Sequence, residues 1–219
     1  STVTKLNVAH MDELLALAIR IGATAFSPFL LVPTGRGKDL ENVELSPEEY
    51  ERALNWIYDK QVKFQDKISI RPTCAPHFQR VTRQLQKENG VPVKPAMPAV
   101  TRPMVPGERP SHAVTRGCMS GTGFAFISHV GRVQGCGYLD IEAGNLKKAS
   151  FGEVWNNSRL FNDMRNLSNI KGKCGVCEYR RVCGGCRARA FETCGDHLEA
   201  EPYCIYEPVA VRRNKEKVE

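Results

Sequence analysis

Cys174-Gly-Val-Cys177-Glu-Tyr-Arg-Arg-Val-Cys183-Gly-Gly-Cys186 sets two Cys-x-x-Cys pairs five residues apart. Each pair presents two thiolates from one tight turn, and two pairs this close can wrap a single soft metal centre. Zinc-binding pairs usually stand about 15–20 residues apart, so the short spacer favours an iron–sulfur cluster, with a zinc-knuckle nucleic-acid-binding module as an alternative. Outward from this stretch, Cys194 and Cys204 follow, while Cys118 and Cys136 precede it with Gly131 between them. Cys74 stands alone. Nine cysteines in 219 residues is an odd number, and six of them fall between Cys174 and Cys204. No basic, apolar, small-residue leader opens the sequence, so it reads as cytoplasmic, a compartment that favours ligation over disulfides.

Lys and Arg outnumber Asp and Glu 31 to 24, giving a net charge of +7, which suits an anionic partner. The basic residues are scattered and no basic-aromatic stacking motif appears, so nucleic acid is not the expected partner. The longest apolar stretch, around Phe29 to Val32, is far short of the roughly 20 residues a membrane span needs, and no membrane association is expected.

Upstream of the cysteines the pattern alternates. Strands are expected over Ser1–Asn7, Ala25–Val32 and Lys67–Ile70. Between the first two, Leu14, Leu15, Leu17, Ala18 and Ile21 recur at helical period, and Gly22 supplies a left-handed stop. Ser46-Pro-Glu-Glu49 is a capping box that opens a second helix, with Tyr50, Ala53, Leu54, Ile57, Tyr58 and Val62 on its apolar face. This β-α-β-α-β rhythm predicts parallel strands with covering helices and functional residues in the loops after the strands. Arg36, Cys74 and His77 fall in those loops.

Six of the thirteen prolines lie between Val91 and Pro110, which predicts a linker. Beyond it, Phe124–His129 and Arg132–Leu139 read as strands about a Val130-Gly131 turn. Ser150-Phe-Gly-Glu153 caps a broken helical segment carrying Val154, Trp155, Leu160, Phe161, Met164 and Leu167. Val211–Glu219 reads as a charged, frayed tail.

The series Cys118-x12-Gly131-x4-Cys136, gap, Cys174-x2-Cys177-x5-Cys183-x2-Cys186, gap, Cys204 resembles the SPASM-type auxiliary-cluster domain of radical S-adenosylmethionine enzymes. Family members often have three residues inside the last pair, where this sequence has two. Val32-Pro-Thr-Gly-Arg-Gly37, Thr73-Cys-Ala-Pro-His77, Phe126-Ile-Ser-His129 and Cys183-Gly-Gly-Cys-Arg-Ala-Arg189 are similar to the haem-biosynthesis branch, which includes the alternative haem synthase and the haem d1 enzyme. The resemblance implies an α/β chain. Residues 1–90 would be the last units of a partial (β/α) radical-SAM barrel, 91–112 a Pro-rich linker, 113–210 a small Cys-rich α+β SPASM-type domain and 211–219 the charged tail. The family's catalytic Cys-x3-Cys-x2-Cys motif does not occur, because the successive cysteine separations never read 4 then 3. These residues alone are therefore not expected to cleave S-adenosylmethionine.

For the full-length family protein the resemblance implies oxidative decarboxylation of porphyrin propionates, from iron-coproporphyrin III to haem b. S-adenosylmethionine would be the source of the 5′-deoxyadenosyl radical, and an electron donor protein would be needed. Loss of carbon dioxide from the propionate leaves a vinyl group and one surplus electron. An auxiliary [4Fe–4S] cluster on Cys174, Cys177, Cys183 and Cys204 is the implied acceptor. Cys118, Cys136 and Cys186 would belong to a second auxiliary cluster, whose fourth ligand is either Cys74 or absent; Cys194 has no assigned role. Arg36, Arg71, Arg80 and His77 are candidate propionate or cosubstrate contacts, and His77, His112 and His129 are candidates for an axial iron ligand. A peptide-modifying maturase of the same superfamily is the other alternative.

Overall fold

The computed structural model describes residues 1–90 and 117–216, with the side chains of Arg36 and Glu41 outside the description. The expected linker at 91–112, together with His112, lies outside the described residues. The first half is built on parallel strand pairing. Strand β1 (Thr2–Val3) pairs with β3 (Phe29–Leu30), and β2 (Ala25–Phe26) pairs with β4 (Ser69–Ile70). Residues 24–30 and 69–73 share one ladder: Ser69 N donates to Thr24 O, Arg71 N to Phe26 O, Thr73 N to Pro28 O and Leu30 N to Thr73 O. Helices α1 (Met11–Arg20), α2 (Pro47–Phe64) and α3 (Phe78–Asn89) complete this half.

Local chemistry explains the boundaries. At the start of α2, Glu49 N donates to Ser46 Oγ at 3.2 Å and Ser46 N to Glu49 Oε2 at 2.8 Å, the reciprocal capping box,. Tyr50, Ala53, Leu54, Ile57 and Tyr58 form its buried face. Gln61 is also buried there, donating to Ile70 O at 2.5 Å, whereas Val62 is only partly buried. Gly22 adopts φ +76° just beyond α1. The expected strand at Ala25–Val32 is broken in two, because Pro28 has no N–H for a ladder,. The expected strand Ser1–Asn7 ends at Val3, where the Asn7 side chain accepts from Thr4 N and donates to Thr2 O, replacing the ladder by a turn,. The loop at Pro33–Gly37 runs into a 3₁₀ stretch, Gly35–Val43.

The second half holds an antiparallel sheet, β5 (Phe126–Ile127), β6 (Arg132–Gln134) and β7 (Glu142–Asn145), in that spatial order. Gly131, at φ +84°, makes the first turn. Both expected strands are shorter than read, and β7 was not anticipated. Helices α4 (Phe151–Asn157) and α5 (Arg159–Arg165) form the broken segment, interrupted at Ser158, and the Ser150–Glu153 capping box is present. Leu167 falls instead in a separate 3₁₀ turn, Leu167–Asn169. Helices α6 (Gly172–Gly175), α7 (Arg187–Cys194) and α8 (Val209–Lys215) follow. The frayed tail expected from Val211 is corrected by α8: Pro208 presets its start, and Arg212, Arg213 and Lys215 lie in its last turn, where the helix dipole favours cations,.

Two apolar cores result. One is centred on Val3, Leu15, Leu30, Leu54, Ile57 and Ile70. The other gathers Val133, Leu139, Phe161, Met164 and Ala188, and takes in Val32 from the first half. Where the halves meet, contact is close: a Cβ on Gly117 would stand 2.4 Å from Pro76 O. No described helix is long and apolar enough to cross a membrane.

Candidate metal centre

Cys174, Cys177, Cys183 and Cys204 line one small cavity, closed by Lys173, Tyr179, Glu201, Tyr206, Pro208 and Arg80. The backbone bends tightly to bring them there. Gly175 packs where a Cβ would be 2.2 Å from Ile170 O, and Gly184 and Gly185 adopt φ +72° and +64°, a left-handed pair that residues with side chains rarely adopt,. Each sulfur receives an N–H. Glu201 N donates to Cys174 Sγ and Gly185 N to Cys183 Sγ, both at 3.4 Å. The backbone at Tyr179 serves Cys177, and that at Tyr206 serves Cys204. Arg80 Nη2 adds a contact of 3.8 Å to Cys204 Sγ, and Lys173 Nζ donates to Cys204 O.

Burial pushes the Cys177 thiol up to about 11 and raises Cys183 further. At Cys204 burial also raises the thiol, with Arg80 and Lys173 opposing the rise. Without a bound cation these thiols stay protonated, and a coordinating metal reverses that balance by deprotonating them. Among the described residues, no three His, Cys, Asp or Glu side chains converge on one point as a single ion would need. The four thiols instead line one shared cavity with about 20 Å³ free. Soft ligands in a closed, water-poor pocket, each with a hydrogen-bond donor, fit an iron–sulfur cluster, whose potential such bonds tune.

A second cavity, of about 640 Å³, is lined by Cys74, Cys118, Cys136 and Cys186 together with Phe29, Phe124, Phe126, Tyr138 and Met119. Burial pushes Cys74 up to about 12, with Cys136 and Cys118 adding to the rise against Arg189. The two thiol sets are joined by Glu201. Its N–H meets Cys174 Sγ, and its Oε2 accepts from Cys186 N at 2.6 Å. Arg189, wholly buried, pairs with Glu201 at 3.3 Å and donates to Leu31 O and Cys74 O at the ends of the parallel strands.

Other candidates are placed elsewhere. Arg80 is held by Glu51, at 2.7 and 2.5 Å, a partly buried carboxylate, and faces Cys204. His77 is fully buried against the Tyr50 ring at 4.6 Å, neither ring nitrogen has a hydrogen-bond partner among the described residues, and burial pushes it down to about 3. Arg71 donates to Ser69 Oγ at 3.0 Å and is half-buried. The side chain of Arg36 lies outside the described residues. His129 and Cys194 are exposed and line neither cavity. Glu201 and Arg189 went unassigned in the sequence, where no spacing rule pairs a carboxylate with a guanidinium twelve residues away.

Residues 118–187 match the SPASM iron–sulfur cluster-binding domain. The chain is 45% identical over 208 residues to the AdoMet-dependent heme synthase of Methanosarcina barkeri, an alignment covering 95% of this chain and 55% of that protein. Over most of its length the chain is similar to the AdoMet-dependent heme synthases, and it carries a match to the SPASM domain. Its match to the AdoMet-dependent heme synthase of Nitratidesulfovibrio vulgaris is also 45% identical over 208 residues, 95% of this chain and 53% of that one. The chain thus spans about half the length of the relatives it matches. Among solved structures, native anSMEcpe with bound AdoMet and a Cp18Cys peptide aligns with a TM-score of 0.50 over 93% of this chain and 51% of that one. At 16% identity this shows a shared fold alone. The cavity of Cys174, Cys177, Cys183 and Cys204 lies partly in the matched domain and is completed from outside it by Cys204.

Proposed function

We propose that this chain is the auxiliary-cluster half of a radical S-adenosylmethionine enzyme of haem biosynthesis, acting by oxidative decarboxylation of the propionates of iron-coproporphyrin III. The observation that carries the reading is one cavity lined by four thiols, every sulfur within reach of an N–H donor. Residues 1–90 are read as the last units of a partial (β/α) barrel, a reading supported by the parallel pairing of β1 with β3 and of β2 with β4. Residues 113–210 are read as the auxiliary-cluster domain. Cys174, Cys177, Cys183 and Cys204 would hold the [4Fe–4S] cluster, which when bound supplies a one-electron acceptor. Around it, Glu201 and Gly185 orient Cys174 and Cys183 by their N–H groups, Arg80 and Lys173 offset the negative charge at Cys204, and Tyr206 and Pro208 exclude water. Arg36 and Arg71 remain the proposed contacts for anionic propionates, since Arg forms bidentate pairs with carboxylates. An electron-carrying protein and S-adenosylmethionine complete the requirements.

The test uses the full-length enzyme, anaerobically reconstituted, with iron-coproporphyrin III, S-adenosylmethionine and a reductant. Haem b and carbon dioxide should form. A Cys177→Ser, Cys204→Ser variant should still cleave S-adenosylmethionine while product falls at least tenfold. Absence of porphyrin binding, or modification of a peptide instead, would overturn the reading.

A further inference from the structure

Val176, Ile205 and Val209 are exposed by 56%, 43% and 37%. Each is next in sequence to a residue that lines the four-thiol cavity, Cys177, Cys204 and Pro208 respectively. The two segments that carry them are laced together. Tyr206 Oη donates to Glu178 Oε1 at 2.5 Å, Val209 N–H donates to the same carboxylate, and the Tyr179 and Tyr206 rings meet edge to face at 5.5 Å. Cys174, Cys177 and Cys204 are only partly buried, so sulfur lies just beneath this surface. The charge around it is one-sided. Residues 173–181 and 204–215 hold six cations, Lys173, Arg180, Arg181, Arg212, Arg213 and Lys215, against two carboxylates, Glu178 and Glu207. Both carboxylates are engaged, Glu178 by Tyr206 and Glu207 by Lys215 at 2.6 Å. The groove beside this face also holds Glu51 and Glu88, of which Glu51 is taken up by Arg80. Arg181, Arg212 and Arg213 are exposed.

We propose that this face docks an acidic one-electron carrier protein, with Val176, Ile205 and Val209 at the centre of the contact and Arg181, Arg212 and Arg213 on its rim. This rests on the iron–sulfur reading of the four-thiol cavity. An apolar centre inside a charged rim is the composition of a protein interface, and redox encounters are small, burying less than about 1,200 Å². A rim of one sign speeds the approach of an oppositely charged partner by about tenfold or more. In the step served, the carrier gains one electron as the cluster passes from its reduced to its oxidised state; no bond forms or breaks and no proton moves. Lipid surfaces and nucleic acid are also anionic, but neither accepts an electron, and this face lies directly over the thiols.

The probe is oxidised plant-type [2Fe–2S] ferredoxin, an acidic carrier, mixed anaerobically with the reconstituted, photoreduced chain. Calorimetry reads binding and stopped-flow absorbance reads electron transfer. The parent is compared with the charge reversal Arg181→Glu, Arg213→Glu and with a control, Lys147→Glu, Lys148→Glu, two exposed lysines between β7 and α4. R181E/R213E should lose at least about tenfold in affinity and in rate, and the control less than about twofold. Parental iron, acid-labile sulfide and EPR signal in both variants show that they have folded and hold the cluster. Without any variant, the parent's rate should fall at least about tenfold as salt is raised. A salt-independent rate, no ferredoxin binding by the parent, parental values in R181E/R213E, or equal losses in the control would each overturn the proposal and leave the cluster in place. So would parent retained on anionic phospholipid vesicles or on RNA in preference to ferredoxin. Zinc without sulfide in the parent would overturn the underlying reading as well.

Discussion

Arg189→Met removes a guanidinium that has no exposure and leaves Glu201, itself 1% exposed, as a carboxylate without its partner. The arginine makes contacts of 3.3 and 3.4 Å to Glu201, 3.0 Å to Leu31 O and 3.3 Å to Cys74 O, and lies over the Tyr50 ring at 5.0 Å. Removing one member of a buried pair costs about 3–5 kcal/mol, mostly because the other charge stays buried. In a chain of this size each kcal/mol shifts the melting temperature by about 2–4 °C, so a fall of about 6–20 °C is expected. The double variant R189M/E201Q removes the stranded charge and should regain at least about 2 kcal/mol over R189M. Urea unfolding of parent, both single variants and the double variant, followed by circular dichroism under reducing anaerobic conditions, gives the complete cycle. A loss below about 1 kcal/mol in R189M, or a double variant as unstable as the sum of the singles, would refute the view of this pair as the joint between the halves.

Three further outcomes follow from other residues. Gly185→Ala forces a Cβ into a left-handed position, 2.5 Å from Arg187 Nη2 and 3.0 Å from Glu201 Cβ; iron bound at the Cys174 site should fall at least twofold, as read by metal analysis. For His77, the unfolded chain takes up a proton below about pH 6.5 that the folded chain refuses until about pH 3, so the stability is present above 6.5 and lost as pH falls,. His77→Phe should abolish roughly 2 kcal/mol of the stability lost between pH 7 and pH 5, and an unchanged slope in urea titrations would refute the burial argument. Cys194→Ser, at an exposed site outside both cavities, should leave iron and sulfide content unchanged.

Local signals were legible and long-range ones were not. The capping boxes at Ser46 and Ser150, the turn at Gly131 and the stop at Gly22 depend on residues a few positions apart, and the structure has each of them. Helix α3 was overlooked because its apolar positions, Phe78, Val81 and Leu85, are sparse among polar residues and its N-cap residue, His77, makes no side-chain capping bond. Strand β7, Glu-Ala-Gly-Asn, has no β-branched residue and is held by pairing with β6 rather than by propensity,. The first four-thiol cavity was readable because spacing alone gathers three of its cysteines. For the second, the resemblance groups Cys118, Cys136 and Cys186 and leaves Cys74 as one of two alternatives, since Cys74 reaches their cavity only after the parallel strands and the Gly117–Pro76 contact have brought the halves together. Glu201 and Arg189 likewise meet by tertiary packing, which no periodicity announces.

The central claim is that Cys174, Cys177, Cys183 and Cys204 hold an iron–sulfur cluster. Anaerobic reconstitution of the chain with iron and sulfide, followed by paired iron and acid-labile sulfide assays on the parent and on a Cys177→Ser, Cys204→Ser variant, tests it directly. The account predicts iron and sulfide in equal amounts in the parent and a loss of about four of each per chain in the variant. Stoichiometric zinc with no sulfide in the parent, or identical iron and sulfide in both proteins, would contradict it.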